Sequence, residues 1–129
     1  MIDINDSEFL SRIEPKELLD KVCDGKTAAA MIQPGDILGI SGFTPCGYPK
    51  ITMHELAERM KQTPFHVDIW TGASTGSQID GELVEVNGIR NRMPYQTNGT
   101  LRKAINAGQI NYFDLHLSHV AQQIREGFF

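Results

Sequence analysis

The sequence predicts an α/β fold, an open parallel or mixed sheet with flanking helices, on three observations. Segments of helical and strand periodicity alternate along the chain. Two glycine-rich loops each follow a strand-like run, on the side of such a sheet where ligands bind. No internal repeat, low-complexity tract or Pro/Ser-rich linker divides the 129 residues, so a single core is expected.

The elements follow in order. Asp6 or Ser7 can cap a first helical turn, and Pro15 suits the start of a second, whose Leu18, Leu19 and Val22 form an apolar stripe. Residues 24–32, with Ala28 to Ala30, predict another helix that Pro34-Gly35 ends in a turn. Residues 36–40 form a short apolar run of the buried-strand type. A loop from Ser41 to Lys50 leads into a helix marked by Met53, Leu56, Ala57 and Met60. Residues 65–70 predict a second strand, residues 71–77 a second Gly/Ser/Thr loop and residues 81–86 a short helix. Leu101, Ala104 and Ile105 mark a further helix, and residues 112–115 a third strand. Ser118 is expected to cap the last helix.

Composition narrows the function classes. Lys and Arg total 12 against 16 acidic residues, and the longest basic run is Arg102-Lys103, so nucleic acid is not an expected partner. No apolar run approaches the ~18 residues of a membrane span, and the acidic N-terminal segment lacks the apolar stretch of a secretory signal. Cys23 and Cys46 are too few for a disulfide framework, which fits a reducing, cytoplasmic setting. Gly127-Phe128-Phe129 follows a helix abruptly, as a cut chain would.

The first loop, Gly42-Phe43-Thr44-Pro45-Cys46-Gly47-Tyr48-Pro49-Lys50, has glycines that let backbone amides approach an oxyanion or phosphate. A tight strand-to-helix connection without a ligand is the other reading. A P-loop is excluded because Tyr48 stands where that motif places Lys, and the spacing of Gly39, Gly42 and Gly47 fails the dinucleotide fingerprint. Gly72-Ala73-Ser74-Thr75-Gly76 matches the G-x-S-x-G of a nucleophile elbow, with Asp80 or Asp114 and His116 or His119 as conceivable triad partners. The chain is short for that fold and Gly81 interrupts the segment that should be its helix, so Ser74 and Thr75 read better as hydrogen-bond donors to a carboxylate or thioester oxygen. Asp114, His116 and His119 lie close in sequence, but no further ligand cluster accompanies them and no metal is expected. Cys46 is read as a small loop-filling residue, since no histidine adjoins it.

Taken together, Gly39 to Lys50, Thr71 to Gly76, Asp80 to Leu83, Arg92 to Tyr95, Leu101-Arg102, Ile105 to Gly108 and Asp114 to Ser118 resemble the N-terminal domain of the acetyl-CoA hydrolase/transferase family. The resemblance spans residues 12–129 and rests on the order and spacing of these segments. It implies a Rossmann-like three-layer domain, of which residues 1–129 are the N-terminal part, within a two-domain CoA-transferase whose C-terminal catalytic domain is absent. Such an enzyme moves CoA between a short-chain acyl-CoA (acetyl-, propionyl- or succinyl-CoA) and a free carboxylate such as acetate through a glutamyl-CoA thioester. The catalytic glutamate is expected outside this chain, so the fragment alone should be inactive. The resemblance assigns substrate contacts to Gly42, Phe43, Thr44, Gly47, Tyr48, Pro49 and Lys50 in the first loop, and to Ser74, Thr75, Gly76 and Thr97 around the carboxylate pocket. Pro45-Cys46 departs from the small residues frequent there, and Pro45 removes one amide donor. CoA or acyl-CoA enters as a substrate and no tightly bound cofactor is expected. A homodimer is expected for the full-length protein, and the isolated chain should expose apolar surface. Acetyl-CoA hydrolase, or a non-catalytic acyl-CoA or carboxylate-binding module, are the alternatives.

Overall fold

A computed structural model describes residues 5–42 and 44–128. Its centre is a four-stranded, wholly parallel sheet in the order β1 (Ile37–Ile40), β2 (Val67–Thr71), β3 (Ile89–Met93) and β4 (Asn111–Tyr112). The chain is thus α/β, an open parallel sheet flanked by helices, as the sequence predicts. Helices α1 (Ser7–Ser11) and α2 (Gly25–Ala30) precede the sheet, with a 3-10 segment (Lys16–Lys21) between them. Helix α3 (Lys50–Gln62) joins β1 to β2, a π-helix (Gln78–Leu83) joins β2 to β3, α4 (Gly99–Asn106) joins β3 to β4, and α5 (Leu117–Arg125) follows.

Local sequence explains most boundaries. Asp6 and Asp24 accept backbone N–H groups of Glu8 and Thr27 at 2.8 and 2.7 Å, and Asn98 caps α4 through Thr100 and Leu101. Met53, Leu56, Ala57 and Met60 recur at helical spacing and are all buried, each large one contributing about 1.5–3 kcal/mol. They pack with Ile79 and Leu83 of the π-helix, Leu101 and Ala104 of α4, and Val67, Ile69 and Ile89 of the sheet in one core.

Several expectations are corrected. The third strand is Ile89–Met93, which no apolar pattern marks in the sequence, and Tyr112 belongs to a short fourth. Ile-Arg-Asn-Arg-Met carries no apolar run because its polar side chains are satisfied by partners: Arg90 pairs bidentately with Asp68 at 2.9 and 2.8 Å, and Asn91 accepts from Asn111 at 3.0 Å. Strand β1 is an edge strand that exposes Ile37 rather than a buried one. The helix placed at 81–86 begins earlier, with the π-helix from Gln78. His116, not Ser118, caps α5, its ring nitrogen accepting the Ser118 N–H at 3.3 Å. Met31, Ile37, Ile51, Leu117, Ile124 and Phe128 are all exposed. No helix among the described residues is long and apolar enough to cross a membrane.

A bulge between β2 and β3 decides which arginine is buried. Val67 pairs with Ile89 but Asp68 pairs with Asn91, so Arg90 is the extra residue. The register beyond it sets Arg92 opposite Ile69, in the row that carries Leu38 and faces the core, while Arg90 is left outside on Asp68.

Helix α3 is tied to the π-helix by His54, whose Nδ1 lies 2.6 Å from the Glu82 carboxylate. That hydrogen bond, and then the carboxylate charge, raises the imidazole above its ordinary value of about 6.5. A raised folded-state value stabilises fully below the unfolded value and is lost as pH rises through the folded one. His54→Gln should therefore lower the melting temperature most between the carboxylate range and about pH 6.5. The two melting curves, followed by circular dichroism across pH, should converge in alkali.

Candidate functional site: two interlocked loops at the carboxyl edge of the sheet

Because all four strands are parallel, the segments after β1, β2 and β3 emerge at one edge of the sheet. This is the edge at which open α/β sheets bind ligands. The first two segments are built into each other. A Cβ at Gly72 would stand 2.2 Å from the Gly42 carbonyl oxygen, so backbone passes directly over backbone. Thr44 N–H donates to the Ala73 carbonyl at 3.2 Å. A Cβ at Gly76 would stand 1.9 Å from the Tyr48 hydroxyl, and that hydroxyl donates to Gln78 at the start of the π-helix. Burial pushes the Tyr48 phenol up, with the charges of Asp80 and Glu82 adding to it, so it remains a protonated donor.

The residues assigned to the first loop divide by role. Gly42 and Gly47 have φ of 150° and 69°, and Thr44 is left-handed at 57°. Tyr48 is buried and belongs to the core cluster, so it seals the loop from within. Pro49 stands at the N-cap of α3 and Lys50 is its first residue, the ammonium lying 5.0 Å from the Tyr48 ring centre. Phe43 lies outside the described residues. Cys46 is exposed and free.

In the second loop, Ser74 is left-handed at φ 54°, and its hydroxyl accepts from Thr97 Oγ1 at 3.1 Å. Two residues 23 apart in sequence thus meet, and the Ser74 O–H has no acceptor among the described residues. Thr75 differs: its hydroxyl donates to Asp80 Oδ2 at 2.8 Å, and its N–H reaches Asp80 Oδ2 and Gln96 Oε1, both at 3.2 Å. Gln96, buried in the segment after β3, donates in turn to the Pro94 carbonyl.

Beneath the loop lies a fully buried ion pair. Arg92 Nε and Nη2 donate to Asp80 Oδ1 at 3.1 and 3.0 Å; Nη2 also reaches Thr71 and Thr75 hydroxyls, and Nη1 the Met93 and Ile69 carbonyls. Burial pulls the guanidinium below its ordinary value while the Asp80 carboxylate opposes it, and a guanidinium stays charged throughout. Arg92, Gln96 and Gln78 carry no site role in the sequence reading, and Asp80 enters it only as a conceivable triad acid. In Ile89–Met93 simple alternation places Arg92 with Arg90 on one face, and only the bulge separates them.

The elbow and metal readings find no geometry. Ser74 has the left-handed backbone of an elbow, but His54 bonds Glu82, His66 Asn87 and His116 Ser118, and none bonds Ser74. Asp114 accepts from Tyr95 N–H and the Tyr112 hydroxyl, so it and His116 turn to different partners. Among the described residues no group of three His, Cys, Asp or Glu side chains is placed to hold a metal ion.

The fold and these loops define an α/β domain of the open parallel type, whose interlocked turns carry a hydroxyl pair at the carboxyl edge of the sheet. Residues 8–129 match the acetyl-CoA hydrolase/transferase N-terminal domain, and the chain belongs to that family. It is 48% identical over 115 residues to the succinyl-CoA:acetate CoA-transferase of Clostridium kluyveri, covering 88% of this chain and 21% of that protein. It is 41% identical to the propanoyl-CoA:succinate CoA transferase of Escherichia coli, covering 79% of this chain and 22% of that protein. The acetyl-CoA hydrolase of Schizosaccharomyces pombe is 35% identical, over 92% of this chain and 24% of the relative. The chain therefore spans about a fifth to a quarter of the length of the curated relatives it matches.

Three substitutions test this construction. Gly72→Ala drives a methyl into a backbone carbonyl that no side-chain rotation can clear, and should cost about 1–3 kcal/mol in urea unfolding. Asp80→Ala or Arg92→Met alone, each leaving a buried charge unpaired, should cost about 3–5 kcal/mol, whereas the double variant should cost far less than their sum.

Proposed function

We propose that the full-length protein containing this chain is a CoA-transferase that moves CoA between a short-chain acyl-CoA and a free carboxylate such as acetate or succinate. This chain supplies the loops that orient the carboxylate. The observation that carries the reading is the Ser74–Thr97 hydroxyl pair, held at 3.1 Å at the carboxyl edge of the sheet with the Ser74 O–H left to donate. Such a donor can hold a carboxylate oxygen and strengthen as negative charge develops on it. Gly42, Thr44 and Gly47 present the adjoining backbone to the acyl end of the thioester.

The covalent work belongs to a glutamate outside this chain, in a C-terminal domain that the relatives' greater length supports. Its carboxylate attacks the thioester carbonyl and expels CoA thiolate, leaving an acyl-glutamyl anhydride. The thiolate then attacks the glutamyl carbonyl, releasing the first carboxylate and forming the glutamyl-CoA thioester. An acceptor carboxylate reverses the two steps. Transfer is preferred to hydrolysis because the two named transferases are 48% and 41% identical to the chain, and the fission-yeast hydrolase 35%. A homodimer and a cytoplasmic setting complete the reading.

The full-length product of the native locus, assayed with acetyl-CoA and a panel of short carboxylates, should transfer CoA. Borohydride should inactivate it only after exposure to acyl-CoA, by reducing the glutamyl thioester. Thioester cleavage without acceptor dependence or trapping would make it a hydrolase. Absence of turnover with every donor would leave a binding module.

A further inference from the structure

Thr75 sits in the middle of the loop assigned to the carboxylate, yet its donors are committed to protein. Its N–H is shared by Asp80 and Gln96, and its hydroxyl donates to Asp80 and receives Arg92 at 3.4 Å. The residue before it behaves oppositely. Ser74 is left-handed at φ 54° and turns its hydroxyl to Thr97. A non-glycine residue in that conformation is strained and persists only where its surroundings hold it. The bonds to the peptide and hydroxyl of Thr75 are the hold.

Resting on the transferase reading, we infer that Thr75, Asp80, Arg92 and Gln96 are positioning residues: they fix the orientation of Ser74 through Thr75, and Thr75 itself does not contact the carboxylate. Three chain segments converge on Thr75. Asp80 comes from the π-helix, Arg92 from β3 and Gln96 from the segment after β3, the same segment that carries Thr97. Gln96 therefore couples the two halves of the hydroxyl pair, holding Thr75 by its Oε1 and the Pro94 carbonyl by its Nε2. The Arg92 guanidinium, neutralised by Asp80, sets the height of the loop over the sheet by reaching Thr71 and Thr75 together.

The test uses the full-length protein and separates the two substrates. Thr75→Val keeps side-chain shape, removes only the hydroxyl bonds and leaves the Asp80–Arg92 pair in place. It should raise KM for the acceptor carboxylate about tenfold, the worth of one hydrogen bond to a charged group, while KM for acyl-CoA changes less than about twofold. Thr75→Ser, which restores the hydroxyl, should return the carboxylate KM toward the parent value. Gln96→Met, which removes the second grip on the Thr75 amide, should raise the same KM, and it serves should Thr75→Val fold poorly. An unchanged carboxylate KM in both variants overturns the inference, as does a loss spread equally over both substrates with a lowered melting temperature. Failure of Thr75→Ser to recover also overturns it. Failure of the transferase reading is visible beforehand, as a parent protein that turns over no acyl-CoA.

Discussion

A guanidinium removed from water must find acceptors for its five N–H groups, and Arg92 finds them in four neighbouring segments. Asp80 takes two, the Ile69 and Met93 carbonyls bind Nη1, and the Thr71 and Thr75 hydroxyls bind Nη2. Strand β2, the loop after it, the π-helix and β3 are thereby fixed to one planar group. The pair is not there for stability alone, since well-packed apolar residues hold a core at least as well as a buried ion pair. What it adds is direction: a planar fork admits few arrangements of its partners.

That constraint depends in turn on one residue too many. Without the bulge at Arg90, Arg92 would fall on the face of Asp68 and Trp70, and Asp80 would be a buried carboxylate lacking its cation. The bulge also uses the displaced residue, since Arg90 holds Asp68 from the outside. Burial alone would raise the Asp68 carboxyl, but the Arg90 hydrogen bonds and charge hold it below the usual value. The interlock of the two loops adds a second constraint of a different kind. Gly72 over Gly42 and Gly76 under Tyr48 are contacts of shape, which no other side chain would permit.

Much of this was legible in the sequence, for physical reasons that differ by element. Helix α3 could be read because its apolar residues recur at the period of a helix buried on one side, and the loops because glycine and proline punctuate strongly. Strand β3 could not, because its polar side chains are satisfied by tertiary partners that no local pattern contains. The cap of α5 was misplaced for a similar reason: Ser118 is the commoner capping residue, but His116 occupies the extended position just before the helix. The residues of the site were named from the resemblance, while the division of labour between Ser74 and Thr75 needed coordinates, since adjacent hydroxyl residues look alike in one dimension.

The same division bears on how a carboxylate would be held. A site that must accept one carboxylate and release another gains nothing from gripping either as tightly as a bidentate guanidinium would. On the proposed reading the guanidinium is spent on Asp80, and the group that meets the carboxylate is a hydroxyl worth about 1.5–3 kcal/mol toward a charged oxygen. Orientation is then supplied by the rigid frame below and affinity by a weak, neutral contact above. The buried pair gives the loop its fixed geometry without presenting a net charge above it, which is what the proposed exchange of one carboxylate for another requires of its frame.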